Sequence, residues 1–267
     1  MKTLLFILLA AITFNNNLLA QDDKPNILFF FWDDLGWKDL GCYGNYFIET
    51  PVSDKLAGQG MRFTQAYASP VCSPTRASIV SGQNAGRNGM WEVVGVSDRP
   101  YAKYKSPKLN RVLDEGIVSY ADILSKQGYT CGHVGKWHIG GQTTDVGFVA
   151  IDNNIYEPEL KKYAEENPQQ GVGPITANSI EFLRENKDKP FFLCVSHHMV
   201  HAPLAADEDL VYKYQQRLWK TGIKDIHPVY AAMVEMGDIS LGMLLEELKT
   251  HGLEDNTVVV IYSDNGG

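Results

Sequence analysis

Two pairs of oxygen-bearing side chains are the first residues that could do chemistry. Asp33 and Asp34 follow an apolar run near the start of the chain, and Asp264 and Asn265 follow another near its end. Carboxylate and amide oxygens are the ligands that calcium and magnesium prefer, whereas zinc favours nitrogen and sulfur. Each pair alone has an ordinary explanation, because an aspartate can cap a helix and Asn-Gly is a common turn. Two such pairs after separate apolar runs support each other and predict a hard-cation site.

A second group of polar residues is basic. Lys136 and His138 follow a third apolar run, and His197, His198 and His201 follow a fourth. A cation and a titratable imidazole suit an oxyanion and proton transfer to or from its leaving group. His197 and His201 also have the i, i+4 spacing of two zinc ligands on a helix. The proline two residues after His201 and the strand-like context argue against a helix there.

The third feature is Cys72, which is followed by a proline at position 74 and an arginine at position 76. A free cysteine is most often a small buried hydrophobic residue. As a thiol nucleophile it would need an activating base nearby. Neither explanation accounts for a proline and an arginine at fixed offsets. The other cysteines, at positions 42, 131 and 194, form no C-x-x-C pair, which argues against a zinc ribbon.

Apolar runs that alternate with amphipathic stretches must position these residues. The pattern predicts strands at residues 26–32, 61–69, 129–136, 190–198 and 256–267, and helices at residues 50–60, 119–128, 176–186 and 228–252. We interpret the polar stretches at residues 91–118, 141–175 and 203–227 as loops of the same domain. Apolar strands alternating with helices indicate an α/β fold with a largely parallel central sheet flanked by helices. Because ligands bind at the carboxyl ends of such strands, we expect the polar groups after four strands to meet at one edge.

Composition and the N-terminus restrict the functions further. The 267 residues carry a net charge of -8, which argues against a nucleic-acid partner. Residues 1–20 combine Lys2, an apolar stretch and a small residue at Ala20, which predicts a signal peptide. The mature chain, residues 21–267, would then be periplasmic or secreted; a buried first helix is the alternative. The apolar part of this segment is too short for a membrane span, and no later segment has that length.

Five sequence blocks in a fixed order resemble the type I sulfatases of the alkaline phosphatase superfamily. CSPTR at residues 72–76 matches their C-x-P-x-R signature. The other blocks are NILFFFWDDLGW, GYTCGHVGKWHIG, HHMVHAP and DNTVVVIYSDNGG, and together the five span nearly the whole mature chain. The resemblance implies a sulfuric ester hydrolase that acts on a sulfated glycan or an aryl sulfate.

The resemblance also implies a modified Cys72. In this family a maturation enzyme oxidises the signature cysteine to Cα-formylglycine, and here it would read Cys72, Pro74 and Arg76 on the unfolded chain. The hydrated aldehyde carries two hydroxyl groups on one carbon. One would attack sulfur and displace the substrate alcohol, and the other would then lose its proton so that the aldehyde re-forms and sulfate leaves. A serine in this place would remain as a stable sulfate ester.

By the same resemblance, the metal is calcium. Asp33, Asp34, Asp264 and Asn265 look like its ligands, together with residue 72 after modification and a sulfate oxygen.

The remaining roles are also carried over motif by motif. Arg76 would hold the formylglycine hydrate and help to position the metal site. His138 would take the proton from the non-attacking hydroxyl. Lys136 and His201 would bind sulfate, and His201 would protonate the leaving alcohol. His197 and His198 match no catalytic position of the family and would at most line the pocket.

Two departures from the family pattern stand out. The family usually has a further sulfate-binding lysine and a smaller C-terminal subdomain beyond the D-N-G block, whereas this sequence stops at Gly267. We therefore expect a catalytic domain that is incomplete at its C-terminus. The sequence TTDVGFVAIDNN after GKWHIGG also departs from the usual Gly-Phe-Asp run, on the side of the substrate.

Two other functions stay open at this point. One is a phosphodiesterase or phosphonate hydrolase of the same superfamily. The two-zinc phosphatases of this fold generally use threonine or serine as nucleophile and histidine after the last aspartate, so Cys72 and Asn265 argue against that version. The other is an inactive truncated protein that binds a sulfated glycan without cleaving it.

Overall fold

The structure is a computed structural model that describes residues 24–96, 101–152, 155 and 157–266. The signal peptide predicted at residues 1–20 lies outside the described residues. Four strands form one sheet: β1 (Asn26–Trp32), β2 (Thr130–Gly135), β3 (Phe191–Ser196) and β4 (Thr257–Ser263). Their order is β2-β3-β1-β4, and every pairing is parallel. The predicted parallel α/β sheet is confirmed.

The central strands β1 and β3 are covered on both faces, which explains their continuous apolar runs, whereas no residue of the edge strand β4 is fully buried. Every residue of β3 is buried, because β3 lies between β2 and β1. Parallel strands covered on both sides lose the alternation of apolar and polar residues. In the register of β1 with β4, Trp32 pairs with Ser263. The residues that follow these two strands therefore leave the sheet side by side.

Eight α-helices surround the sheet in the described residues. They are α1 (Pro51–Gln59), α2 (Cys72–Ser81), α3 (Ala85–Asn88), α4 (Tyr120–Lys126), α5 (Pro158–Glu166), α6 (Val172–Asn186), α7 (Glu208–Thr221) and α8 (Pro228–Thr250). The largest core joins Phe30 and Trp32 of β1 to buried residues of α6 and α8. Phe31, between them in sequence, belongs to a separate core with Ala121 of α4. The two faces of β1 thus pack against different helices.

Helix α8 is long and apolar enough to cross a membrane by length and composition, with a mean hydropathy of 1.2 over its most apolar window, which corrects the expectation that no segment after the N-terminal one has that length. Of that window, 56% is buried inside the protein, as in the core helix of a globular domain. Gly237 explains how closely it packs, because a Cβ atom at this position would overlap the ring of Trp32 in β1. The absence of a side chain at position 237 allows α8 to lie directly against the sheet.

Asp238 of the same helix fixes α1. Its Oδ2 accepts a hydrogen bond from the Val52 amide at 2.9 Å, and its Oδ1 accepts bonds from the amide and hydroxyl of Ser53 at 2.8 and 2.6 Å. Thr50 occupies the N-cap position of α1 without making a capping bond, so Asp238 caps the helix from a distant element. We expect Asp238→Ala to lower the free energy of unfolding by about 3 kcal/mol, because it leaves buried donors without an acceptor. Urea unfolding measures this effect.

Ser53→Ala is the matched control for Asp238→Ala, because it removes one of the three bonds and leaves the carboxylate in place. We expect it to cost about 1 kcal/mol. Equal losses in the two variants would show that Asp238 does not hold α1.

The strand predicted at residues 61–69 is wrong. This segment is exposed and forms bends and irregular chain. The carbonyl groups of Phe63 and Tyr67 accept hydrogen bonds from the hydroxyls of Tyr43 and Tyr262, rather than from the backbone of a strand. Alternating apolar residues form a strand only where another strand is available to pair with them.

Two of the predicted loops contain helices, which is a second correction. Helix α5 lies within residues 141–175, and α7 lies within residues 203–227. Both have start signals, since α5 begins at Pro158 and the side chain of Asp207 caps α7 by accepting from two backbone amides at 3.0 Å. Their polar composition favoured loops, but α7 is a surface helix that buries a single side chain, Tyr214. A solvent-facing helix needs few apolar residues.

Candidate functional site

The site begins where β1 and β4 end. Asp33 follows β1 and Asp264 follows β4, and neither side chain is accessible to solvent. The Asp33 amide donates to the Met199 carbonyl at 2.8 Å, and the Val200 amide donates to the Asp33 carbonyl at 2.5 Å. The loop after β3 is therefore joined to the end of β1. No helix starts at Asp33 or Asp34, so these residues are not the helix cap that was the ordinary alternative.

Cys72 lies opposite these carboxylates as the first residue of α2 and is buried. Its Sγ and one oxygen each of Asp33 and Asp264 all lie within 4.8 Å of one another. The sequence analysis did not predict a helix here. Pro74 was the available signal, because proline is tolerated in the first turn of a helix, where the amide has no intrahelical acceptor.

Arg76 lies one turn after Cys72 on α2 and is 2% exposed. Its Nε and Nη2 donate to Asp264 Oδ2 at 3.2 and 2.8 Å, and Nη2 also donates to Asp33 Oδ1 at 3.3 Å. Its Nη1 donates to Ser196 Oγ at 2.6 Å and to the Lys136 carbonyl at 3.0 Å. These five bonds match the five donors of a guanidinium group. Arg76 therefore organises the site, and its donors bond to protein groups rather than to residue 72, the contact expected from the sequence.

Lys136 and His138 approach from the end of β2. Gly135 has φ of 97°, a conformation that favours glycine, and the Lys136 amide donates to the Ser196 carbonyl at 2.8 Å. The Lys136 ammonium bonds to Asp33 Oδ2. His138 is held at φ of 54°, which is uncommon for a residue other than glycine and is typical of functional sites.

The state of His138 follows from its surroundings. Burial, followed by Lys136, Arg76 and His201, lowers its pKa to about 4. Its Nδ1 is buried without a hydrogen-bond partner among the described residues. At neutral pH the ring is thus a neutral imidazole that can accept a proton.

Asp34, Asn265 and His201 complete the arrangement. Asp34, at φ of 64°, donates its amide to Asp264 Oδ1 at 3.1 Å. The Asn265 Nδ2 donates to Asp34 Oδ1 at 2.5 Å, and His201 Nε2 lies 3.8 Å from Asp34 Oδ2. The structure thus brings together all the residues that the sequence analysis assigned to metal binding and catalysis.

The donor set fits a hard cation. The Oδ1 of Asn265 is buried and has no hydrogen-bond partner within the described part of the chain. Burial and the neighbouring Asp33 raise the pKa of the Asp264 carboxyl, as expected for crowded carboxylates. The three carboxylates, those of Asp33, Asp34 and Asp264, outnumber the two permanent cations, and each carboxylate oxygen has two lone pairs. A divalent cation would balance the charge and use oxygens that still have free lone pairs.

The unmodified thiol of Cys72 does not fit such a site. Sulfur is a soft ligand, which calcium avoids. Burial raises the pKa of the thiol to about 11; Lys136 lowers it, and Asp33, Asp264 and Asp34 raise it. The thiol is therefore protonated at neutral pH in the absence of a cation and is a poor nucleophile. A residue bearing oxygen at position 72 would suit both roles.

The two adjacent histidines after β3 differ. His197 is fully buried, with its Nε2 3.1 Å from Ser240 Oγ and its ring 5.0 Å from Phe30, so it packs in the core rather than lining the site. His198 is exposed. The chain from His197 to His201 is not helical, in agreement with the argument against a helical zinc pair.

Sequence reasoning missed Ser196, the last residue of β3. Its Oγ accepts from Arg76 and donates to the Lys136 carbonyl at 2.7 Å. It therefore links two assigned residues. Its position directly before the polar cluster was the only signal in the sequence.

Comparison with known proteins decides the family. The family model described as Sulfatase matches residues 25–267. The chain belongs to the sulfatase family. Among curated relatives it is similar to human N-acetylgalactosamine-6-sulfatase, with 30% identity over 278 residues that cover 91% of this chain and 50% of the relative.

Solved structures show how this sulfatase-family chain compares in three dimensions. The crystal structure of Ps i-CgsB is similar with a TM-score of 0.71 and 26% identity, over 91% of this chain and 59% of that one. The phosphonate monoester hydrolase of Agrobacterium radiobacter has a TM-score of 0.67 at 17% identity, over 91% and 62%, which shows a shared fold alone. The chain thus spans half to about three fifths of the length of these proteins.

Proposed function

We propose that this chain carries the catalytic site of an exported sulfatase, which hydrolyses a sulfate ester of a glycan with Ca²⁺ and a formylglycine formed from Cys72. The observation that supports this most directly is the place of Cys72. Its sulfur lies among buried carboxylate oxygens, where a thiol can do little and an oxygen-bearing residue could bind the cation.

Asp33, Asp34, Asp264 and Asn265 would hold the calcium ion. When bound, it would act as a Lewis acid that withdraws charge from a sulfate oxygen. The formylglycine hydrate would supply the attacking hydroxyl group and, in its second hydroxyl, a way to expel sulfate.

The protein's other residues act on the substrate and its protons. Arg76 holds the carboxylates of Asp33 and Asp264 in place through its buried guanidinium. Lys136 and His201 contact sulfate, and His201 protonates the leaving alcohol from its half-exposed position. The neutral ring of His138 accepts the proton that must leave before sulfate is expelled.

The substrate class rests on the relatives. One is named for removing a 6-sulfate from N-acetylgalactosamine. Ps i-CgsB has been solved in complex with k-i-k-neocarrahexaose. Both names favour a carbohydrate over an aryl sulfate for this chain. Export follows from residues 1–20, and modification of Cys72 requires a formylglycine-generating enzyme as partner.

The test is sulfate release from N-acetylgalactosamine 6-sulfate by protein co-expressed with a formylglycine-generating enzyme, measured by ion chromatography. We expect turnover with Ca²⁺ and its loss after treatment with a calcium chelator.

Asn265→Ala should raise the Ca²⁺ concentration needed for half-maximal activity by about 10- to 100-fold, because it removes one ligand oxygen. Asn256→Ala, a change of the same kind on an exposed residue, is the control.

Two other results would contradict the proposal. Turnover of phosphate esters that is restored by zinc would point to the phosphatase branch of the superfamily. Binding of the sulfated sugar by the matured protein without sulfate release would favour an inactive glycan-binding protein.

A further inference from the structure

His198 is the one histidine of the loop after β3 that the proposed chemistry does not use although it faces solvent. His197, Met199 and Val200 around it are buried, whereas His198 is exposed. The side chain therefore points away from the core at the edge of the sheet where the candidate site lies.

The backbone of this loop is held on both sides of His198. The His197 amide donates to the Phe31 carbonyl at 2.9 Å, and the Met199 carbonyl accepts from the Asp33 amide at 2.8 Å. The His198 carbonyl itself accepts from the His201 amide at 3.0 Å. Since the loop is bonded to β1 and to its own next turn, the imidazole of His198 is presented from a fixed position.

The other basic side chains here have partners within the protein, and Lys136 and His201 are also assigned to the scissile sulfate. Arg76 uses all five donors, and the Lys136 ammonium is bonded to Asp33. The ring of His201 contacts the Ala202 carbonyl through Nδ1 at 2.5 Å. Within the described residues, no hydrogen-bond partner is found for the ring of His198.

The charged groups that act on His198 are all basic. Partial burial lowers its pKa, and Lys136, Arg76 and His201 lower it further. A nearby anion would stabilise a ring in this position. Its negative charge offsets the three basic neighbours, and it accepts a charge-assisted hydrogen bond from the imidazole. The scissile sulfate is already assigned to Lys136 and His201, so His198 remains for another negative group.

We propose that His198 is a substrate-binding residue that contacts a second anionic substituent, a sulfate or a carboxylate, on the glycan whose scissile sulfate ester lies at residue 72. This inference rests on the proposed function and makes it more specific: the preferred substrate carries more than one negative group.

Binding to a variant that cannot turn over tests this. Cys72→Ala and Cys72→Ala/His198→Ala, which have no nucleophile at position 72, are titrated by calorimetry, with Ca²⁺ present, against three probes. These are N-acetylgalactosamine 6-sulfate, N-acetylgalactosamine 4,6-disulfate, and a disaccharide of a uronic acid and N-acetylgalactosamine 6-sulfate. We expect His198→Ala to weaken binding of one of the doubly charged probes by about tenfold and that of the singly charged probe by less than about twofold. If the disulfated sugar loses affinity, His198 contacts a second sulfate. If the disaccharide with the uronic acid loses affinity, His198 contacts a carboxylate.

Two further variants complete the design. His198→Arg should retain the preference for the doubly charged probe, because its guanidinium group can also donate a hydrogen bond to an anion. His227→Gln changes an exposed histidine at the start of α8 and should alter no affinity.

An equal loss for all three probes, or no loss for any, would overturn the role of His198. The matured wild-type protein is assayed for sulfate release in parallel. If it releases none, the proposed function fails, whereas the binding differences still decide the role of His198.

Discussion

The Cys72→Ser variant should fold like the wild-type protein and release sulfate at least about ten thousand-fold more slowly. Serine places a hydroxyl group where the buried thiol lies, beside Asp33 and Asp264, so it fits the space and the donor set. It lacks the second hydroxyl group of an aldehyde hydrate. After one attack on sulfur, the sulfate would stay bound to the serine oxygen. Initial rates of sulfate release measure the loss, and the mass of the intact protein after incubation with substrate should reveal one retained sulfate group.

Cys42→Ser is the matched control for this experiment. Cys42 is half-buried and lies beside Asp54, outside the cluster at the strand ends. The same chemical change there should leave turnover within about twofold, since substitutions away from functional features have small effects. A Cys72→Ser protein that turns over at the wild-type rate would show that no modified residue is needed.

Loss of the Arg76 side chain has the second largest expected effect. Arg76→Ala should lower the free energy of unfolding by about 3–5 kcal/mol in calcium-free buffer, because it leaves the buried carboxylates of Asp33 and Asp264 without their shared cation. It should also abolish sulfate release. Added Ca²⁺ should recover part of the stability, since it would neutralise the same two carboxylates. Chemical denaturation with and without Ca²⁺ measures both quantities.

Arg76→Lys keeps the experiment informative if Arg76→Ala does not fold. Lysine retains the charge but has three donors in place of the five that Arg76 uses, so an intermediate loss of stability with little turnover is expected. Arg217→Lys, at the ion pair with Glu49 on the surface, is the control and should change stability by less than about 1 kcal/mol. Full stability of Arg76→Ala without Ca²⁺ would contradict the organising role of this residue.

The strands and helices that could be predicted from the sequence are those whose apolar pattern and end residues favour the same secondary structure that their packing in the fold stabilises. The run at residues 26–32 is apolar throughout and ends at two aspartates, and it forms β1 within the same bounds. Residues 228–252 start at a proline and end at a glycine, and they form α8. Residues 61–69 have a strand pattern without a strand to pair with, and pairing partners cannot be read from a local pattern.

Most residues that the structure brings together at the candidate site could be predicted from the sequence, but their geometry could not. Strand ends and family motifs both pointed to Asp33, Lys136, His201 and Asp264, and the parallel register brings them together. No local pattern indicates that Arg76 uses every donor it has. His197 is buried and His198 is exposed because of the way the loop after β3 crosses the end of β1. This is a long-range contact that no local pattern indicates.

The measurement that tests the central claim most directly is the mass of the tryptic peptide 63–76 from protein purified from its native host. We expect the mass of a peptide in which Cys72 has lost its sulfur, together with an aldehyde that reacts with hydrazide reagents. That result would place the modified residue beside the carboxylates, as the proposed reaction requires. An unmodified thiol in correctly folded protein with sulfate-releasing activity would contradict the account, because a buried, protonated thiol at this position cannot carry out the proposed reaction.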